Sequence, residues 1–177
     1  MINAAQRLLA IILVSALGAC GFQPLYGELS NGEAVTADLS SIDIASNNSR
    51  LGVTLRNFLI DQFHPNGRSD NNTYRLDFRL REGQVGAGER LDASVTRYKY
   101  RLTVNYRLVD IEKGGTVYEG QSFSAVSYDV VDSQFATVVS REDAQERAAR
   151  EISDDIKLRL ALYFNQRGKT AQNASGA

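Results

Sequence analysis

Two stretches with strict alternation decide the fold of this chain. Residues 74–81 read Tyr-Arg-Leu-Asp-Phe-Arg-Leu-Arg, and residues 97–108 read Arg-Tyr-Lys-Tyr-Arg-Leu-Thr-Val-Asn-Tyr-Arg-Leu. In both stretches the even-numbered residues are apolar or aromatic and the odd-numbered residues are polar. Because successive side chains of a strand point to opposite faces of the sheet, the pattern predicts two long strands with one buried and one polar face.

A third strand and one irregularity complete the predicted sheet. The turn Lys113-Gly114-Gly115 leads into an antiparallel strand over residues 117–126. The apolar residues before Tyr98 stand at odd positions instead of even ones, which predicts a β-bulge between residues 95 and 98. The tip of the hairpin between the two long strands is predicted at its glycines, which are Gly83, Gly86 and Gly88.

Two segments have helical periodicity. The first has Ser49 as its N-cap and Pro65 as its stop. Its apolar residues are Leu51, Leu55, Phe58, Leu59 and Phe63. The second is predicted to begin at the N-cap Ser140, after an irregular stretch over residues 127–139. Its apolar stripe consists of Ala148, Ala149, Ile152, Ile156, Leu160, Tyr163 and Phe164, while Leu158 and Leu162 lie on another face.

A short alternating strand over residues 40–45 precedes the first helix, so the element order is β-α-β-β-β-α. Two amphipathic helices and a sheet with one apolar face bury one another in a two-layer α+β sandwich. The sheet is predicted to have four strands and to be mixed but mostly antiparallel, since a helix connects the first strand to the second. We expect one domain over residues 37–166, followed by a disordered tail over residues 167–177.

The N-terminus has the pattern of a lipoprotein signal peptide. Arg7 is followed by an apolar run from Leu8 to Leu17, and Leu17-Gly18-Ala19-Cys20 forms a lipobox. Cleavage after residue 19 would expose the thiol of Cys20, the only cysteine, to diacylglycerol attachment. Two or three acyl chains there anchor a protein stably. The alternative is an ordinary secretory signal. Residues 20–36 are predicted to tether the domain to the membrane.

The composition excludes several classes of function. Without residues 1–19 the chain has 19 basic and 21 acidic side chains, a net charge of −2, which argues against nucleic-acid binding. The one histidine, His64, cannot by itself supply a His/Cys metal site, and no sequence pattern points to a Ser-His-Asp triad around it. It is predicted to be a solvated loop residue. The adjacent carboxylates Asp154 and Asp155 do not face each other on a helix. We therefore expect neither an enzyme nor a cofactor, apart from the lipid on Cys20.

The polar face of the two long strands is the candidate binding surface. Residues 73–108 hold eight basic and four acidic side chains, a local charge of +4. Guanidinium groups bind phosphate and carboxylate in a bidentate fork. This face would therefore suit an anionic ligand or an acidic surface of a partner protein. The simpler interpretation is a solvated sheet face. The candidate residues are Arg75, Arg79, Arg97, Lys99, Arg101 and Arg107, with Arg81 on the same face.

The segment Cys20-Gly21-Phe22-Gln23-Pro24-Leu25-Tyr26-Gly27 resembles the start of the mature lipoproteins of the LptE lipopolysaccharide-assembly family, in its alphaproteobacterial form. The order of elements and the Thr-Arg-Tyr run at 96–98 agree with that family.

The resemblance implies a lipid-anchored protein on the periplasmic side of the outer membrane, without catalytic activity. Its implied partners are lipopolysaccharide and the β-barrel LptD, which it plugs. Gly21 in place of Asp after the lipidated cysteine also favours the outer membrane. The alternative function is that of an auxiliary lipoprotein of an ABC-type lipid-transport system.

Overall fold

The computed structural model describes residues 32–65, 67, 71–89, 95–131 and 133–175. The predicted signal peptide, Cys20 and most of the predicted tether lie outside these residues. Three helices and four strands follow one another in the order α1 (Gly32–Ser40), β1 (Ile42–Ile44), α2 (Arg50–Phe63), β2 (Tyr74–Glu89), β3 (Val95–Asp110), β4 (Thr116–Asp129) and α3 (Gln134–Ser175). The α+β architecture predicted from the sequence is confirmed, with α1 as an additional short helix.

The four strands form one mixed sheet in the order β1-β2-β3-β4. β1 pairs parallel with β2, placing Ile42 opposite Tyr74, and the other neighbours pair antiparallel. The predicted bulge is confirmed, because Arg97 pairs with Gly88 and Val95 with Glu89, which leaves Thr96 without an opposite residue. The predicted hairpin tip is wrong, because β2 continues through its glycines to Glu89. The register shifts beside Gly86 and Gly88, so these glycines mark a bulge within the strand rather than its end.

The core lies between one face of the sheet and helices α2 and α3. The even-numbered strand residues Leu76, Leu102 and Leu108 are completely buried, as the alternation predicts. α2 contributes Leu55 and Leu59, and its predicted N-cap is confirmed, because the Ser49 hydroxyl accepts a hydrogen bond from the amide of Gly52 at 3.0 Å. The core side chains of α3 are Ala144, Ala148, Ala149, Ile152, Ile156, Leu160 and Phe164.

Helix α3 is longer than predicted at both ends. It begins at Gln134, where the Ser133 hydroxyl accepts a hydrogen bond from the amide of Ala136, so Ser140 is not the N-cap. Residues 134–139 contain no helix breaker, and the cap-like pattern at Ser140 lies inside the helix. At the other end, residues 167–175 are helical rather than disordered, and the guanidinium of Arg167 donates a hydrogen bond to the hydroxyl of Tyr74. Residues 32–36 likewise belong to α1 rather than to a tether.

His64 is buried, which corrects its prediction as a solvated loop residue. Its Nε2 lies 3.0 Å from the carbonyl oxygen of Ile42 in β1, and its side chain is 8% exposed. The imidazole therefore ties the C-terminal end of α2 to β1. The sequence around Pro65 is polar, and nothing in its local pattern shows that the first strand passes beside the helix end.

Candidate functional site

The candidate site is the face of the sheet opposite α2 and α3. The odd-numbered residues of β2 and β3 point to this face, and all seven predicted basic side chains are exposed there. In the antiparallel register Asp77 lies opposite Arg107, Arg79 opposite Asn105, and Arg81 opposite Thr103. The sequence prediction that these cations share one surface is therefore confirmed; whether the surface binds a ligand stays a prediction.

Three of the predicted cations are already paired with carboxylates. Arg97 bonds Asp129 at 2.6 Å, Arg107 bonds Asp77 at 3.1 Å, and Arg75 lies 3.9 Å from Asp43. The hydrogen bond from Arg97 holds the pKa of the Asp129 carboxyl below its ordinary value, because it stabilises the charged form. Exposed pairs of this kind neutralise positive charge while contributing little to stability. These three arginines occupy the two ends of the candidate surface.

The middle of the surface keeps its positive charge. Arg79, Arg81, Lys99 and Arg101 are exposed and make no ion pair with any carboxylate of the described chain. Arg101 lies opposite Gly83, two pairs further along the hairpin than Arg81, so Arg81 and Arg101 are diagonal neighbours on the same face. Diagonal neighbours in a sheet lie about 7–8 Å apart, within the reach of long side chains. We call these four residues the central basic patch.

Exposed apolar side chains border the central basic patch. The ring of Phe123 on β4 is 65% exposed and lies beneath the guanidinium of Arg101, whose carbon is 5.7 Å from the ring centroid. Val85, 62% exposed, stands opposite Lys99 in the hairpin. The charge pattern of the sequence singled out neither residue, although the odd number of Phe123 places it on the same face as Glu119 and Gln121. The surface therefore combines unpaired cations with apolar contact area.

The described residues outside this face contain neither a cluster of metal-ligating side chains nor a membrane-spanning helix. No group of three or more His, Cys, Asp or Glu side chains suited to a metal ion occurs among the residues that the structure describes. Over the same ranges, no helix is both long and apolar enough to cross a membrane. Asp154 and Asp155, the carboxylates weighed for hydrolysis, take separate roles: Gln62 donates a hydrogen bond to Asp154, and Arg159 pairs with Asp155 at 2.8 Å.

Comparison with solved structures supports the fold and its class. A protein of Caulobacter crescentus CB15 described as a lipoprotein is 28% identical and superposes with a TM-score of 0.64, covering 75% of this chain and 97% of that one. Lipoprotein B from Nitrosomonas europaea, at 10% identity, has a TM-score of 0.52 over 70% of this chain and 82% of its own. The second similarity concerns the fold alone.

Comparison of sequences identifies the family. An uncharacterized protein of Rickettsia prowazekii (strain Madrid E) is 25% identical over 157 residues, which cover 89% of this chain and 96% of the relative. The family model for LptE, described as lipopolysaccharide-assembly, matches residues 38–160, which include β1 to β4, α2 and most of α3. The chain therefore belongs to the LptE family of lipopolysaccharide-assembly lipoproteins.

Proposed function

We propose that this lipoprotein is the subunit of the lipopolysaccharide translocon that sits within an LptD-like β-barrel of the outer membrane and contacts lipopolysaccharide during its delivery. Membership of the LptE family supports the role in assembly. The two-layer sandwich supports the proposed location inside the barrel, because a packed domain with a continuous core can fill a barrel lumen and keep its own fold.

The observation that carries the contact with lipopolysaccharide is the central basic patch. Lipopolysaccharide presents phosphate groups beside acyl chains. Three guanidinium groups and one ammonium group, all free of carboxylates in the described chain, can bind phosphate oxygens. Phe123 and Val85 can cover apolar chains next to them. Charge and apolar area thus occur together on the sheet face opposite α2 and α3.

Lipidation at Cys20 is the second part of the proposal. Cys20 is the last residue of the lipobox, and membership of a lipoprotein family is consistent with its acylation. We expect Cys20→Ser to remove acylation and to release the protein from the outer membrane. Mass spectrometry of the mature N-terminus measures the acylation directly. An unmodified Cys20 in the wild-type protein would show that the chain is exported by an ordinary signal.

The test of the patch uses a triple charge reversal, Arg79→Glu with Lys99→Glu and Arg101→Glu. Charged hydrogen bonds contribute about 1.5–3 kcal/mol each, so the loss of several contacts should weaken lipopolysaccharide binding at least about tenfold. The matched control reverses three exposed cations of α3, with Arg141→Glu, Arg147→Glu and Lys169→Glu. It has the same net charge and should bind normally. Equal binding by both variants, with unchanged circular dichroism, would remove the patch from the proposal.

A further inference from the structure

The central basic patch is an ordered row of single charges. We use the word level for the residues of β2, β3 and β4 that lie directly opposite one another on the polar face of the sheet. Four successive levels of this face hold one cation each and no carboxylate. In the strand order β2, β3 and β4 they consist of Arg79, Asn105 and Gln121; Arg81, Thr103 and Phe123; Gly83, Arg101 and Ala125; and Val85, Lys99 and Ser127.

Carboxylates end this row on both sides. The level next to Arg79 contains Asp77 and Glu119. Beyond Lys99, the carboxylate of Asp129 neutralises the next cation of the strand. Successive levels on one face are separated by two strand residues, so the row without carboxylates is about 20 Å long. A longer polyanion would extend onto these carboxylates, which favours a ligand no longer than the row.

The four cations form two pairs on different strands. Arg79 and Arg81 belong to β2, Lys99 and Arg101 belong to β3, and the Cα atoms within a pair lie about 7 Å apart. Long side chains at this spacing can converge on one phosphate, to which guanidinium groups donate bidentate hydrogen bonds. A phosphate monoester carries about 1.5–2 negative charges at pH 7, so one monoester neutralises one pair. The centres of the two pairs are about 14 Å apart, two levels along the strands and one strand across.

The sheet surface between the two pairs has small side chains. Gly83 and Ala125 lie on either side of Arg101, and a Cβ at Gly83 would meet nothing within 4 Å. Phe123 and Val85 supply exposed apolar area at the borders of this surface. The body of a ligand can therefore lie against the sheet between two phosphate groups, with apolar parts of the ligand beside it.

We propose that the central basic patch is a site for two phosphate monoesters on one ligand, held about 14 Å apart, with one on each pair of cations. The inference deepens the proposed function and rests on it, because lipopolysaccharide supplies the ligand class. The lipid A part of lipopolysaccharide is a disaccharide that can carry a phosphate at each end beside its acyl chains. A ligand with one phosphate would leave one pair of cations without an anion, so the site selects the diphosphorylated form.

The affinity for two forms of lipid A measures this selection. The probes are diphosphoryl and monophosphoryl lipid A in identical detergent micelles, each titrated against the full-length lipoprotein. We expect the wild-type protein to bind the diphosphoryl form at least about tenfold more tightly, because the second phosphate adds several charged hydrogen bonds.

Removal of either pair of cations should abolish the selection. One variant combines Arg79→Gln with Arg81→Gln, and the other combines Lys99→Gln with Arg101→Gln. Each variant retains one pair, which holds one phosphate of either form. Both variants should therefore bind the two forms with affinities that agree to within about twofold.

The matched control combines Arg141→Gln with Lys169→Gln, which removes two exposed cations of α3. It has the same net charge as the pair variants and should keep the wild-type ratio of affinities. Circular dichroism should be unchanged in all three variants, because every substituted side chain is exposed. A control that loses the ratio as the pair variants do would show that total charge decides, and would overturn the inference.

The remaining outcomes separate this inference from the proposed function. A wild-type protein that binds both forms equally well would overturn the two-phosphate site and leave the contact with lipopolysaccharide in place, as would a ratio that survives the loss of either pair. A single phosphate held between Arg81 and Arg101 would give equal binding of this kind. A wild-type protein that binds neither form would contradict the proposed contact itself.

Discussion

Arg101 of β3 lies over the ring of Phe123 of β4, with its guanidinium carbon 5.7 Å from the ring centroid, on the sheet face opposite α2 and α3. The contact holds one of the four cations of the central basic patch in place on an exposed aromatic surface. Because a guanidinium that is already oriented loses less conformational entropy when it binds an anion, Arg101 should contribute more to phosphate binding than its unstacked neighbours.

Arg101→Lys should therefore weaken lipopolysaccharide binding although it keeps the charge. The ammonium group cannot stack as a plane or form a bidentate fork, and an exposed cation–π contact contributes about 0.5–1 kcal/mol. We expect a loss of about three- to fivefold in affinity. Arg81→Lys, a patch cation for which the structure shows no ring contact, is the control and should change the affinity less. Equal effects would show that Phe123 does not orient the site.

Gly120 leaves the space that the ring of Tyr106 occupies. A Cβ at this position would lie 2.6 Å from the Cζ and hydroxyl oxygen of Tyr106, closer than real contacts allow. Gly120→Ala should lower the free energy of unfolding by about 1–3 kcal/mol, as overpacking does. Gly83→Ala is the matched control, because a Cβ there meets nothing within 4 Å. Urea unfolding of both variants measures the difference, and equal stabilities would contradict the packing of Tyr106 against β4.

His64→Ala should destabilise the fold although the position lies between a helix and a polar connection. It removes the bond to the Ile42 carbonyl and leaves a buried acceptor without its partner, a loss of about 1–3 kcal/mol. Asn57→Ala, at an exposed site of α2, is the control and should stay within about 0.5 kcal/mol of the wild type. A small effect of His64→Ala would return the residue to the solvated loop that its sequence suggests.

The pair of Arg97 and Asp129 makes a small, pH-dependent contribution to stability. The folded pKa of Asp129 lies below its ordinary value of 3.8. The contribution is therefore fully present above that ordinary value and is lost as the pH falls through the folded pKa. We expect wild type to melt slightly above Asp129→Asn at pH 7, and the two to melt together near about pH 2. A difference that persists in acid would show that the substitution acts through packing.

The sequence predicted the strands better than it predicted the ends of the helices. Strict alternation from Tyr74 and from Tyr98 is a strong signal, because the apolar face of each strand must be buried whichever element packs against it. The bulge near Thr96 was visible as a change of parity. The start of α3 could not be recognised in the sequence. Residues 134–139 carry apolar side chains, such as Phe135, that stay exposed and match no buried stripe.

The candidate binding surface was predicted only as a set of charges. Parity places Arg75, Arg97 and Arg107 on the same face as the central basic patch, but it cannot show which acids lie opposite them. For Arg75 and Arg97 that information depends on the register of β1 and β4, and for Arg107 it depends on the register of β2 against β3, all of which the sequence left open. The bond between His64 and Ile42 escaped prediction for the same reason, because it joins residues that only the tertiary fold brings together.

The most direct test of the central claim is the stoichiometry of the complex. The C-terminally tagged lipoprotein would be purified from outer membranes in mild detergent, and the masses of its partners measured. We predict one large outer-membrane β-barrel for each copy of this chain, as expected for a plug within an LptD-like barrel. A preparation without a barrel, containing components of an inner-membrane lipid-transport ATPase instead, would contradict the account and assign the chain to an auxiliary role.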